Sequence, residues 1–88
     1  MYFVYALISE KDSEFYIGYT EDIEKRIKDH NEGKNSSAKT RRPLRLLYYE
    51  AHTSKTDALK RERYFKTTKG KTTLRQIIKD ALSLREPK

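Results

Sequence analysis

Tyr2-Phe3-Val4-Tyr5-Ala6-Leu7-Ile8 is an unbroken run of apolar and aromatic residues. Apolar side chains on both faces of the pleat predict a central strand covered on both sides. Ser9 to Glu14 is polar and predicts a hairpin loop, and Phe15-Tyr16-Ile17-Gly18-Tyr19 predicts a second strand. The pleat puts Phe3, Tyr5 and Leu7 on one face of the first strand. On the second strand it separates Tyr16 and Gly18 from Phe15, Ile17 and Tyr19. Gly18 inside a strand pattern marks a bulge or a close approach to the backbone.

The period then changes. Thr20 is the expected N-cap of a helix, with Glu21 and Asp22 in its first turn. That helix is predicted to run to about Asn31, with Gly33 ending it. Lys34 to Pro43 is a polar, basic loop, and Leu44 to Glu50 is the third predicted strand. Ser54, with Asp57 three residues on, resembles a capping box and opens a helix over Lys55 to Lys66. Thr67 to Lys71 should break it, and a last helix is expected from Thr72 to Leu84, before a frayed tail over 85–88. The order is ββαβαα in one domain, 1–84: an α+β sandwich whose three-stranded sheet is flanked by helices.

Composition narrows the function. The chain has 88 residues, enough for one small domain with a modest core. Charged residues make up 38%, but ten aromatics (seven Tyr, three Phe) argue for a folded chain. The absence of cysteine excludes disulfides and thiolate zinc sites, and a cytoplasmic location is expected. The longest apolar run is too short to span a bilayer, so no membrane association is expected. The formal charge of +7 favours a polyanionic partner through counterion release.

Several residues fit a purely structural reading poorly. Ile23, Arg26, Ile27 and His30 form one stripe of the first helix, so two of its four core-facing positions are polar. Ala58, Leu59, Glu62 and Phe65 share a face of the next long helix and put a carboxylate in an apolar stripe. Such a carboxylate needs a cationic partner, Arg26 among the choices, or a metal. Tyr5 and Tyr16 stand on adjacent strands with phenols that need partners if buried. Taken singly, each has an ordinary explanation: snorkelling, a helix-terminal cation, a salt bridge, core tyrosines. Together they supply what phosphodiester cleavage requires. An arginine binds phosphate bidentately, a carboxylate holds Mg²⁺ or Mn²⁺, and a proton acceptor activates the nucleophile.

In this arrangement the chain resembles the GIY-YIG nuclease superfamily, in its small single-domain bacterial form. Phe3-Val4-Tyr5 stands where Gly-Ile-Tyr is expected, and Tyr16-Ile17-Gly18 is the second motif verbatim. Arg26, His30 and the glutamate of Ala58-Leu59-Lys60-Arg61-Glu62 match the remaining positions, so the resemblance runs from Tyr2 to about Leu82. It implies that Tyr5 is the general base, that Tyr16 contacts the phosphate or the nucleophile, and that Arg26 binds the scissile phosphate. It further implies that His30 orients or deprotonates the tyrosine and that Glu62 holds one divalent cation. A neighbouring imidazole, Arg26 and a metal-bound water are expected to favour the Tyr5 phenolate. Phe3 replaces the first glycine, and Tyr19 stands where some relatives carry lysine. No residue is assigned to the asparagine of larger members, and the resemblance to the short form carries the expectation that no recognition domain is attached.

The expected activity is therefore metal-dependent, structure-directed endonucleolytic cleavage of DNA, rather than RNA, in repair, recombination or defence. Lys34, Lys39, Arg41 and Arg42 of the loop, with Lys66, Lys69, Lys71 and Arg75, are the expected phosphate contacts. The protein is expected to be a monomer or a weak homodimer. The alternative is a non-catalytic nucleic-acid-binding module that retains the fold.

Overall fold

The computed structural model describes residues 1–33 and 43–84. The chain runs β1 (Tyr2–Ser9), β2 (Phe15–Thr20), α1 (Ile23–Asn31), β3 (Leu44–His52), α2 (Lys55–Phe65), α3 (Thr68–Ile77) and a short α4 (Lys79–Leu84). The strand order is β2-β1-β3, and both pairings are antiparallel. The apolar run therefore sits at the centre of the sheet. Every residue from Val4 to Ser9 is buried.

The pleat deals β1 into two cores. Tyr5 and Leu7 pack with Leu44 and, more loosely, with Tyr16, Ile23, Ile27 and Leu46, beneath α1. Val4 and Ala6 pack with Ala58, Phe65, Leu74 and Ile78 of the C-terminal helices. Register fixes which β2 residues join each side. Tyr5 pairs with Gly18 and Leu7 with Tyr16, whereas Ala6 pairs with Ile17 and Val4 with Tyr19. Pairing to β3 shifts between Ala6 and Leu7. Asn31 ties the end of α1 to the start of β3. Its amide oxygen accepts from Leu44 N–H at 2.7 Å, and its amide nitrogen donates to Leu44 O at 3.0 Å.

Local chemistry moved some boundaries. Asp22, not Thr20, is the N-cap of α1, because its carboxylate accepts from Lys25 N–H at 3.1 Å. The Thr20 hydroxyl instead braces the turn before it, accepting from Asp22 N–H at 3.0 Å. Gly33 ends the helix as expected, with φ 78°. β3 continues to His52. The largest difference lies after α2. The expected break over Thr67 to Lys71 is only a corner: Thr67 caps α3 by accepting from Gly70 N–H at 3.0 Å. A glycine and two threonines read as a breaker, but here they supply a cap and a contact. Any Cβ on Gly70 would run into the backbone carbonyl of Tyr64, so only glycine lets α3 lie this close to the end of α2. The single last helix also divides, at Ile78. The basic loop with Lys34, Lys39, Arg41 and Arg42, and the tail over 85–88, lie outside the described residues.

Candidate active site

Five elements deliver side chains to one cleft of about 480 Å³. β1 contributes Tyr5, β2 contributes Tyr16 and Gly18, α1 contributes Arg26 and His30, and α2 contributes Glu62 and, from its end, Lys66. α3 adds Lys71. The cleft straddles β2, because Phe15, Ile17 and Tyr19, from that strand's other face, also line it.

Tyr5 and His30 form its buried floor. Their relative exposures are 3% each, and Tyr5 Oη lies 3.1 Å from His30 Nε2. The i, i+4 spacing on α1 stacks Arg26 and His30 over the sheet. Gly18, opposite Tyr5 in the ladder, makes room for this phenol: a Cβ there would collide with the Tyr5 hydroxyl. The glycine of the second motif is thus a steric requirement of the tyrosine of the first. Gly18 does not have a positive φ, so the requirement is space alone.

The electrostatics of this floor run against one expectation. Burial pushes the Tyr5 phenol above its ordinary value of 10; Arg26 pulls it down, and Glu62 pushes it further up. Desolvation of the phenolate outweighs the guanidinium beside it. The surroundings of Tyr5 thus favour the phenol, not the phenolate. Burial, and then the nearby Arg26, lower His30 from 6.5, so the imidazole is neutral at pH 7. Its Nδ1 is buried with no hydrogen-bond partner among the described residues.

Arg26 has no carboxylate partner among the described residues, which leaves its cation available to a ligand. The alternative of a Glu62–Arg26 salt bridge is not what forms. Glu62 Oε2 accepts from Lys66 Nζ at 3.0 Å, one helical turn on. Lys66 is well exposed, with its side chain at 54%, and an exposed i, i+4 pair of this kind is worth only about 0.3–0.5 kcal/mol. Glu62 is restrained, not sealed. No cluster of three acidic or imidazole groups suited to a metal occurs among the described residues. A lone carboxylate still fits Mg²⁺, which binds through one or two carboxylates and takes its other ligands from water and substrate phosphate.

Of the remaining expected phosphate contacts, Lys66 and Lys71 line the cleft, whereas Lys69 is exposed outside it. Arg75 lies 4.6 Å from the Phe15 ring centroid, stacked over it. Behind α2 lies a polar cluster that the sequence reading missed. Arg61 grips Glu50, donating from Nε to Oε1 at 3.0 Å and from Nη2 to Oε2 at 3.0 Å. Tyr48 donates to the same carboxylate at 2.8 Å, and His52 lies 3.1 Å from it. Burial and the Glu50 carboxylate push Tyr48 up to about 12. The signal was present as Tyr48, Glu50 and His52 at alternate positions of one strand face. This clasp holds α2, and with it Glu62, against the sheet.

A three-stranded antiparallel sheet between helices, with two motif tyrosines, an arginine, a histidine and a glutamate around one cleft, defines a GIY-YIG domain. The chain belongs to that family: its model, described as the GIY-YIG catalytic domain, matches residues 1–75. Its relatives within that family are UPF0213 proteins. UPF0213 protein YazA of Bacillus subtilis is 41% identical over 63 residues, covering 70% of this chain and 64% of that protein. UPF0213 protein SH2523 of Staphylococcus haemolyticus is 42% identical over 77 residues, 86% of this chain and 93% of that one. The solution NMR structure of UPF0213 protein BH0048 from Bacillus halodurans has the same fold. It is 36% identical, with a TM-score of 0.55, covering 88% of this chain and 85% of that one. Family membership puts the chain in a nuclease-like superfamily with nucleic acid as its substrate class. No helix among the described residues is long and apolar enough to cross a membrane.

Proposed function

We propose that this protein is a divalent-metal-dependent endonuclease that hydrolyses phosphodiester bonds in DNA, with Tyr5, Tyr16, Arg26, His30 and Glu62 as its catalytic residues. The observation that carries the reading is their convergence on one cationic cleft. Arg26 binds the scissile phosphate through its guanidinium, and Tyr16 contacts the phosphate or the attacking water. Glu62 holds Mg²⁺ or Mn²⁺, which would stabilise the leaving oxygen and acidify bound water.

Tyr5 and His30 handle the proton as a couple. With hydrogen on Nδ1, His30 accepts from the phenol through Nε2. The attacking water gives its proton to Tyr5 Oη while the phenol proton passes to Nε2. The water proton is thereby delivered, in effect, to a neutral imidazole, and no free phenolate forms. An arriving phosphate would draw Lys66 away from Glu62 and free its carboxylate.

Purified protein incubated with branched and single-stranded DNA in Mg²⁺ or Mn²⁺ should nick it, and Glu62→Ala and Arg26→Ala should not. If wild-type protein leaves every substrate intact while still binding it, the chain is a binding module instead. Cleavage that Glu62→Ala retains in full would remove the metal from the proposal.

A further inference from the structure

Phosphodiester chemistry leaves part of the cleft lining unassigned. Phe15 and Tyr19, on the face of β2 away from Tyr5, line it on a side shared with Lys66 and Lys71. Tyr19 occupies the position just after the second motif and has no part in the catalytic set. Its ring is only partly buried and is held from two directions. It stacks on Tyr2 with centroids 6.4 Å apart and planes 13° apart. Its hydroxyl donates to Glu21 at 3.1 Å. Such a ring is ordered before a ligand arrives, so little rotamer entropy remains to be lost on binding.

An aromatic ring set among cations is the combination by which proteins bind single-stranded nucleic acid: the ring stacks on a base and the cations track the backbone. A base within a duplex already has both faces covered by its neighbours and cannot offer one to Tyr19. We infer that this side of the cleft holds an unpaired base stacked on Tyr19, with Lys66 and Lys71 on the adjoining phosphates. The substrate then carries a single-stranded nucleotide beside the phosphate bound at Arg26. The inference rests on the nucleolytic reading for the class of substrate. A volume of about 480 Å³ lies within the ordinary range of small-molecule sites and suits one nucleotide and its phosphate.

The test is fluorescence anisotropy in EDTA, where binding is read without cleavage. The probes are labelled oligothymidylate, a blunt duplex, and a duplex with a single-stranded flap. Tyr19→Ala should weaken oligothymidylate and flap binding by about five- to a hundredfold, the usual cost of losing one stacked base. Duplex affinity should change less than about twofold, and Tyr19→Phe should keep the wild-type preference. Loss of Tyr19 also removes the support it shares with Tyr2, so Tyr19→Trp provides a second measurement. Its indole fluorescence should be quenched by oligothymidylate and not by duplex. Equal weakening on all three probes, no weakening, or an unresponsive indole overturns the inference. A stacking signal without cleavage in Mg²⁺ would leave the inference standing and defeat the nuclease reading. Cleavage that ignores Tyr19 would do the reverse.

Discussion

Gly18→Ala tests the contact on which the floor of the cleft depends. The added methyl has nowhere to go, since its carbon would collide with the Tyr5 hydroxyl and lie 2.5 Å from Cζ and 3.0 Å from Cε2. The phenol must move, and the hydrogen bond to His30 goes with it. Overpacking of this kind costs about 1–3 kcal/mol, and the lost buried hydrogen bond about 0.5–1.5 kcal/mol. Against this, alanine is better than glycine in a strand by about 0.5–1 kcal/mol, and Gly18 does not have a positive φ that would cancel the gain. The net is about 2 kcal/mol, or roughly 10 °C in Tm for a chain of this size. The assay is a double-mutant cycle in urea with Tyr5→Leu, which removes the phenol. In that background Gly18→Ala should be neutral or slightly stabilising, giving a coupling energy of about 2 kcal/mol. A coupling below about 0.5 kcal/mol, within ordinary additivity, would show that the glycine serves some purpose other than housing Tyr5.

Gly70→Ala should be the harsher glycine substitution, because the obstacle is the Tyr64 backbone and not a movable side chain. Thermal melts should show a loss of about 3 kcal/mol, despite the helix propensity gained. Acid should weaken the fold through His30. Its folded-state pKa is depressed, so its contribution is complete above 6.5 and is lost as the pH falls from there through the folded value. A His30→Gln variant should show a flatter stability profile below pH 6.5 in urea titrations. Glu50→Gln should lower stability by about 1–3 kcal/mol, discounted because Arg61 is a third exposed. Burial raises the Glu50 pKa, but hydrogen bonds from Arg61, Tyr48 and His52 outweigh it and leave it lowered. The Glu50→Gln deficit should therefore be full at neutral pH and shrink as the pH falls below about 4.5.

The strands were legible because their signals are local. β1 is apolar on both faces, and the pleat of Phe15 to Tyr19 correctly put Gly18 and Tyr16 on the Tyr5 side. The candidate site was legible as anomalies, since Arg26, His30 and Glu62, which line one cleft, interrupt helical stripes that should be apolar. What failed was context. Gly70 and the threonines around it read as a helix breaker, because their value lies in a contact with Tyr64 that no local pattern records. Asp22 outcompeted Thr20 as the cap because the turn geometry brings the carboxylate, not the hydroxyl, to Lys25 N–H. For Tyr5, counting the charges nearby omits the cost of burying a phenolate, which raises its pKa against the pull of Arg26. Glu50 entered only as the expected end of the third strand, and only the fold shows Arg61 reaching it from α2.

The straddling of β2 constrains how this chain can vary. One strand serves two surfaces by parity, with even positions 16 and 18 on the Tyr5 side and odd positions 15, 17 and 19 on the other. An inserted or deleted residue between 15 and 19 would exchange the two sets, putting a bulky side chain against the Tyr5 hydroxyl and Gly18 where a ring should stand. The hairpin over 10–14 carries no such parity. Length variation among homologues, and tolerated insertions in the laboratory, should therefore fall in that turn and stop abruptly at Phe15.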